Sequence, residues 1–208
     1  MSSIKTIIKD REITELIHFT STRGLEGIYR AKHILSRFEL ENSDFVDDNE
    51  ILFNSNDAFR MEGKKYINLS VSYPNKSLFN RFKHRKESDP TIGWCILKLN
   101  PNVLLDDSLK CFFSVTNAAN SAAKNDYGIK SDAESFKRMF NDTVVVKNSY
   151  GSKTYNRLGL KKNQTTDNQA EILIEGSRKT LRAFEDDLRV INEMKDKIDN
   201  RTNMIIGI

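Results

Sequence analysis

The chain has 208 residues, of which 38% are apolar and 30% charged, and its formal net charge at pH 7 is +4. The length predicts one domain over residues 1–208. The composition predicts a soluble protein, because no run approaches the roughly 18 unbroken apolar residues of a membrane helix. Residues 1–5 lack the apolar core of a secretory signal, so we expect a cytoplasmic protein with no membrane partner.

The first predicted unit is a strand followed by a capped helix. Residues 13–20 are rich in β-branched and apolar side chains, which favours a strand, and Ser21 and Thr22 can cap a helix that reaches about Lys32. This turn would place His18 and Thr20 beside free backbone N–H groups, where ribose hydroxyls or an amide could bind. A buried structural histidine is the alternative interpretation of His18.

The remaining elements follow from periodicity and from turn residues. Up to residue 99 we predict an extended segment at 34–37, an acidic loop at 39–57, a strand at 67–73, a helix at 76–86 and a strand at 94–99. A strand at 109–115, a polar turn at 116–121 and a helix at 133–140 follow. The rest of the chain is predicted as a long loop at 141–168, part of which can pair as a strand near 144–146, then a helix after Ser177 and a last strand at 204–208. In the strand at 67–73, Ser70 and Ser72 should share one face.

Charge is unevenly distributed along the chain. Residues 39–57 carry seven acids and no base, whereas residues 76–86 carry five bases and no acid, with Phe79 and Phe82 between them. A second basic group spans 147–162. Bases with interleaved aromatic rings suit phosphate contact and base stacking in a nucleic-acid complex. The alternative is a solvated basic face whose phenylalanines belong to the core.

The cysteines and histidines do not predict a metal site. Cys95 and Cys111 lie in apolar segments without metal-type spacing, which favours two buried free thiols over a disulfide. His18, His33 and His84 are too scattered for a zinc site. We therefore expect no bound metal.

Residues 168–176 contain the strongest candidate for a catalytic side chain. Glu171 opens an apolar run that predicts a strand, and Gln169 precedes it by two residues. The period of two would place both side chains on one face at the mouth of that strand. The alternative is that both are solvent-facing residues of an edge strand.

Four segments together carry a resemblance to a known family. They are His18-Phe19-Thr20 with its capped helix, Arg60 ahead of residues 69–75, Thr116-Asn117-Ala118-Ala119, and Gln169-Ala170-Glu171-Ile172-Leu173. In this order, from about residue 14 to about residue 185, the chain resembles the DarT family of nucleic-acid ADP-ribosyltransferase toxins. The resemblance implies an α+β protein with the ADP-ribosyltransferase fold, in which two small packed mixed sheets and flanking helices surround an NAD+ cleft.

The resemblance also implies roles for individual residues. Glu171 would be the catalytic carboxylate, and Arg60 would contact the NAD+ phosphates or the target base. The implied NAD+-binding residues are His18, Phe19, Thr20, Gly27, Ser70, Ser72 and Tyr73. The implied substrate-binding residues are Gln169, Lys76, Arg81, Asn117, Lys153 and Arg157. The segment 149–168 would present the substrate.

The implied reaction transfers ADP-ribose from NAD+ to a base of single-stranded DNA and releases nicotinamide. A carboxylate bonded to a ribose hydroxyl stabilises the positive charge that develops on the ribose, and it can then accept a proton from the incoming base. RNA or protein as the acceptor, and a nucleic-acid-binding module without turnover, remain alternatives. The family likeness further suggests a toxin, of a toxin-antitoxin or phage-defence system, that is paired with a macrodomain-type antitoxin.

Overall fold

The computed structural model describes residues 3–42, 65–85, 92–148, 151–176 and 204–207. The strands are β1 (Leu16–Ser21), β2 (Tyr66–Val71), β3 (Trp94–Leu99), β4 (Cys111–Ser114), β5 (Thr143–Asn148), β6 (Gly151–Asn156), β7 (Glu171–Glu175) and β8 (Met204–Gly207). The helices are α1 (Ile4–Asp10), α2 (Thr22–Ala31), α3 (Arg37–Glu41), α4 (Lys76–Arg85) and α5 (Ala133–Arg138), with a 3-10 helix at Pro101–Leu105 and a π-helical turn at Ala123–Tyr127. This mixture confirms the predicted α+β class.

A six-stranded sheet in the order β4-β7-β2-β1-β3-β8 forms the centre of the described part of the chain. Its neighbours are antiparallel except β3 and β8, which run parallel. The predicted last strand is therefore confirmed as β8. The strand register places one apolar side chain of each of five strands on the same face, each at most 1% exposed: Leu16, Leu69, Leu97, Phe113 and Ile172. This face is the core, and burying each such side chain stabilises the fold by about 1.5–3 kcal/mol.

The sheet has a weak join between β1 and β2. These strands pair only at Leu16–Val71 and Ile17–Ser70, whereas β1 pairs with β3 along six residues. Where the two strands part, their facing backbone groups need other partners, because unpaired buried polar groups are costly. Nδ1 of His18 lies 3.0 Å from the carbonyl oxygen of Asn68 and meets this need. A cleft therefore opens between the half-sheet β4-β7-β2 and the half-sheet β1-β3-β8.

Hydrogen bonds from side chains set the starts of α2 and α3. Oγ of Ser21 accepts a hydrogen bond from the Gly24 N–H at 3.0 Å, which confirms the predicted cap of α2. Ser36 and Glu39 form a reciprocal capping box that starts α3 at Arg37. The predicted extended segment 34–37 is therefore wrong at its end, and α3 covers the first residues of the acidic segment.

The segment 141–168 is more ordered than predicted. β5 and β6 form a hairpin from the pair Thr143–Asn156 to the pair Asn148–Gly151, which confirms the predicted strand near 144–146. After the hairpin, the guanidinium group of Arg157 donates hydrogen bonds of 2.6–2.8 Å to three backbone carbonyls of residues 161–164. The prediction of one long loop is wrong because a single charged donor gathers these carbonyls into a compact turn.

Several smaller predictions have clear outcomes. Cys95 and Cys111 are buried free thiols, as predicted, and burial raises the pKa of each to about 11. The predicted helix after Ser177 lies outside the described residues, as does Arg60. Among the helices of the described ranges, none combines the length and the apolar character needed to cross a membrane.

Candidate active site

A cavity of about 250 Å³ occupies the cleft between β1 and β2. It is bounded by the diverging ends of both strands, by helix α2, by α4 and by the start of β7. Among its lining residues are six of the predicted NAD+-binding and catalytic residues: His18, Phe19, Thr20, Gly27, Ser70 and Glu171. Residues far apart in sequence thus meet where the sheet opens.

Glu171 is a buried carboxylate in the wall of this cavity, with 2% of its surface exposed. Its Oε2 accepts a hydrogen bond from the backbone N–H of Ala118 at 2.9 Å, which fixes the orientation of the carboxylate. Leu69 of β2 pairs with Ile172 of β7. The adjacent position of the register therefore places Ser70 beside Glu171 on one face of the sheet. A fixed acceptor and a hydroxyl lie side by side as a result.

His18 is neutral at pH 7. Desolvation by burial lowers the pKa of its imidazole, although the hydrogen bond with Asn68 acts in the opposite direction. The Asn68 carbonyl can only accept a hydrogen bond, so Nδ1 of His18 carries the proton. Nε2 therefore remains as a hydrogen-bond acceptor on a residue that lines the cavity.

Two glycines of α2 control the space next to β1. A Cβ atom at Gly24 would overlap Oγ1 of Thr20, so only glycine allows the helix to approach the strand this closely. One turn later, a Cβ at Gly27 would meet no atom within 4 Å, and Gly27 lines the cavity. The missing side chain of Gly27 therefore leaves open volume at this point in the cavity.

A family model described as ssDNA thymidine ADP-ribosyltransferase, DarT, matches residues 17–180, a range that contains every cavity residue named above. The chain belongs to the DarT family. It is an ADP-ribosyltransferase that acts on thymidine in single-stranded DNA, and enzymes of this class use NAD+ as co-substrate. No curated protein matches the chain. Among the alternatives left open by the sequence, DNA is thus favoured over RNA or protein, and an enzyme over a binding module.

Two predicted NAD+ contacts of this DarT protein lie outside the cavity. β2 ends at Val71, and Ser72 has a left-handed backbone with φ 55°, so the prediction that Ser70 and Ser72 share one strand face is wrong. Tyr73 is exposed, and Nζ of Lys161 lies 6.0 Å from the centre of its ring. The strand ends earlier than the alternation suggested because the backbone turns at Ser72.

Gln169 is also displaced from its predicted position. It lies in a turn in which Oδ1 of Asp167 accepts the Gln169 N–H at 2.9 Å and the Asp167 carbonyl accepts the Ala170 N–H at 3.1 Å. The strand begins only at Glu171, so the prediction that the period of two aligns both side chains is wrong. Asp167 is fully buried, and this burial raises the pKa of its carboxyl against the opposing hydrogen bonds from Thr116 and Gln169.

The residues predicted to contact nucleic acid do not line the cavity. Lys76 and Arg81 are exposed on α4, and Lys153 is exposed on β6. Oδ1 of Asn117 accepts the Ala119 N–H at 2.9 Å and shapes the turn next to Glu171. The guanidinium group of Arg157 already serves three backbone carbonyls, as described above, so its observed role is to hold the turn after β6.

The aromatic rings of α4 face the sheet of the DarT protein. The ring centre of Phe79 lies 5.2 Å from that of Phe19 and 5.7 Å from that of Trp94, and Phe82 lies 6.0 Å from Phe19. These contacts favour the alternative that the two phenylalanines of the basic segment belong to a packed cluster. Phe82 and Trp94 also line the cavity and so form part of its apolar wall.

The sequence interpretation missed two arginines of the cavity wall. Arg23 lies in the first turn of α2, and Arg37 opens α3 with its Nε 2.9 Å from Oε1 of Glu41. The spacing of Ser36 and Glu39 is a readable capping box that predicts a helix start at Arg37. That both residues line one cavity depends on long-range packing, for which the sequence contains no local signal.

Proposed function

We propose that the cavity between β1 and β2 binds the nicotinamide end of NAD+, in an ADP-ribosyltransferase fold whose two sheets correspond to the half-sheets β4-β7-β2 and β1-β3-β8. The observation that carries the proposal is the buried Glu171, fixed by the Ala118 N–H and facing the cavity. At about 250 Å³ the cavity is close to the lower end of small-molecule sites, which is about 300 Å³, so it takes one end of a dinucleotide.

Different polar residues of the cavity would bind the nicotinamide riboside and the pyrophosphate of NAD+. Nε2 of His18 accepts a hydrogen bond from a ribose hydroxyl or from the carboxamide, and the hydroxyls of Thr20 and Ser70 lie at the same cavity. Arg23 and Arg37 suit the pyrophosphate because guanidinium groups bind phosphate in a bidentate manner. Arg60 keeps its proposed contact to the phosphates or the target base.

The proposed mechanism uses Glu171 in two steps. NAD+ supplies the ADP-ribosyl group, with nicotinamide as a neutral leaving group. A Glu171 oxygen accepts a hydrogen bond from a ribose hydroxyl and stabilises the positive charge that develops at C1′. The C1′–N bond to nicotinamide breaks, its electron pair leaves with nicotinamide, and a bond forms from C1′ to N3 of thymine. N3 is the only N–H of thymine in DNA, and its proton passes to Glu171.

The DNA reaches this site over basic and polar surfaces. Lys76 and Arg81 on α4 and Lys153 on β6 are exposed and neutralise phosphates. Gln169 and Asn117 lie in the two turns that flank Glu171 and contact the acceptor base there. An enzyme that modifies DNA would harm its own host, which supports a cytoplasmic toxin that is controlled by a macrodomain-type antitoxin.

The test replaces Glu171 with glutamine and measures transfer from labelled NAD+ to oligonucleotides with and without thymine. The amide keeps an acceptor for the Ala118 N–H but lacks the charge, so transfer should fall about 10²- to 10³-fold while NAD+ affinity changes little. Glu175→Gln, at the other end of β7, is the matched control and should retain full transfer. Near-normal transfer by the Glu171→Gln protein would refute the catalytic role of Glu171.

A further inference from the structure

Asp167 is a buried acidic residue to which the proposed function gives no role. It has no exposed surface, and it lies four positions before Glu171, in the turn that leads into β7. Aspartate is almost never fully buried unless its carboxyl group is bound by partners. The partners of Asp167 therefore indicate what this side chain does.

Asp167 fixes the backbone that leads directly into Glu171. Its Oδ1 accepts the Gln169 N–H at 2.9 Å, and its main-chain carbonyl accepts the Ala170 N–H at 3.1 Å. The same carbonyl accepts a hydrogen bond of 2.8 Å from Oγ1 of Thr165. Ala170 is 1% exposed and is followed at once by Glu171, so these three hydrogen bonds set the point at which β7 begins.

The carboxyl group of Asp167 also holds a second turn, residues 116–118, which follows β4. The side chain of Thr116 donates a hydrogen bond to this carboxyl group. The Thr116 carbonyl accepts a hydrogen bond of 2.7 Å from Oγ of Ser114, and Ser114 is the register partner of Glu171 in the pairing of β4 with β7. The second turn is therefore also fixed next to Glu171.

The two turns meet at the carboxylate of Glu171. Ala118, which follows Thr116 by two residues, donates its N–H to Oε2 of Glu171 at 2.9 Å. Asp167 thus acts on both ends of this hydrogen bond, since one turn carries the donor and the other leads to the acceptor. Ala118 has no exposed surface and Glu171 is 2% exposed, so a shift of either turn would leave buried polar groups without their partner.

We propose that Asp167 is a positioning residue for the catalytic carboxylate. It connects the turn before β7 to the turn after β4 and so keeps the Ala118 N–H and Oε2 of Glu171 at bonding distance. The proposal rests on the proposed catalytic role of Glu171 and adds to it a residue that does not line the NAD+ cavity. Position matters here because a displacement of about 1 Å at a reacting group can lower the rate about 10²-fold.

The test measures kcat, the KM for NAD+ and the melting temperature, with an oligonucleotide that carries one thymine as the acceptor. Asp167→Ala removes the acceptor of the Gln169 and Thr116 hydrogen bonds, so kcat should fall about 10- to 100-fold while the KM for NAD+ changes little. Asp167→Asn keeps an acceptor and should retain most of the wild-type kcat. Thr116→Val keeps the shape without the hydroxyl and should lower kcat. Asp106→Ala is the matched control, because Oδ1 of Asp106 accepts the Ser108 N–H at 2.9 Å with the same spacing at an exposed turn, and its kcat should be unchanged.

A double-mutant cycle separates positioning from a general loss of structure. If Asp167 acts through Glu171, Asp167→Ala should lower the residual transfer of the Glu171→Gln protein far less than that of the wild-type protein, because the charge that it positions is already absent. A loss of equal size in both backgrounds would overturn the positioning role. Thr116→Val takes the place of Asp167→Ala in the cycle if the alanine variant does not fold.

The remaining outcomes separate this proposal from the proposed function. An unchanged kcat in Asp167→Ala or in Thr116→Val, or a loss in Asp167→Asn as large as in Asp167→Ala, would overturn the positioning role and leave the catalytic role of Glu171 intact. Near-normal transfer by the Glu171→Gln protein would overturn the proposed function, and this proposal would fall with it.

Discussion

Replacement of Gly27 by alanine should stabilise the protein and weaken its binding of NAD+. Gly27 is in the interior of α2, where glycine costs about 0.8–1.0 kcal/mol relative to alanine. A Cβ at this position would meet no atom within 4 Å, so no packing penalty offsets that gain. For a domain of this size, a gain of this magnitude raises the melting temperature by about 2–4 °C.

The same methyl group would occupy volume that the proposed NAD+ site uses. Gly27 lines the cavity, so the new Cβ extends into the space of the ligand, and a loss of about 1.4 kcal/mol would raise the Kd for NAD+ about tenfold. Thermal melts without NAD+ measure the first effect, and calorimetric titration with NAD+ measures the second. Opposite signs of the two effects are the expected signature.

Gly24→Ala is the informative comparison because its Cβ would overlap Oγ1 of Thr20. This variant should lose both stability and NAD+ affinity. A Gly27→Ala protein that is more stable but binds NAD+ with unchanged affinity would refute the placement of NAD+ beside α2. A Gly27→Ala protein that is less stable would instead refute the open space at this position.

Three further predictions concern charge. Burial raises the pKa of Asp167, so the folded state binds a proton more tightly than the unfolded state, and stability should fall as pH rises from about 3.9 through that raised pKa. Asp167→Asn, which keeps an acceptor for the Gln169 N–H, should remove this pH dependence and raise the melting temperature at pH 7. Burial lowers the pKa of His18, so the KM for NAD+ should not change with pH above about 6.5. The KM should rise only at acid pH, because protonation of Nε2 removes the hydrogen-bond acceptor. A KM that rises toward alkaline pH would contradict the assigned tautomer of His18. Lys153→Gln should reduce the slope of log affinity for single-stranded DNA against log salt by about 0.7, while Lys9→Gln on α1 should leave the slope unchanged.

The elements that could be predicted are those whose signals are local. Ser21 is a capping residue directly before a periodic helix, and β3 is a β-rich run that ends at Asn100-Pro101, so both boundaries follow from the sequence. The turn after β6 could not be predicted in this way. Its order comes from one guanidinium group, that of Arg157, and the sequence does not show which carbonyls a side chain will meet.

The sequence pattern alone nominated His18, Thr20 and Glu171, whereas the other residues of the candidate site and their roles came only through the family resemblance. Glu171 taken alone is a carboxylate at the start of a strand, and its burial follows from the sheet register and from the turn that contains Ala118. Gln169 shows the limit of periodicity, since the side chain of Asp167 two residues earlier imposes a turn on this segment. Asp167 lies two residues before Gln169, and an aspartate at that spacing is a sequence signal for a turn at Gln169.

The break in pairing between β1 and β2 explains why a substitution at His18 should change stability and NAD+ binding together, whereas one at Gly27 should change them in opposite directions. A sheet that stops pairing after two residue pairs leaves backbone groups exposed to a buried gap, and the side chain of His18 supplies the donor that the Asn68 carbonyl then needs. Since His18 also lines the cavity, its replacement should damage stability and NAD+ binding together. Gly27 has no side chain that bonds a backbone group, and a Cβ there would contact no neighbour, so the two effects of Gly27→Ala should have opposite signs. Gly27→Ala is therefore the clearest test of NAD+ binding, because it fills open volume in the cavity without removing a contact that stabilises the fold.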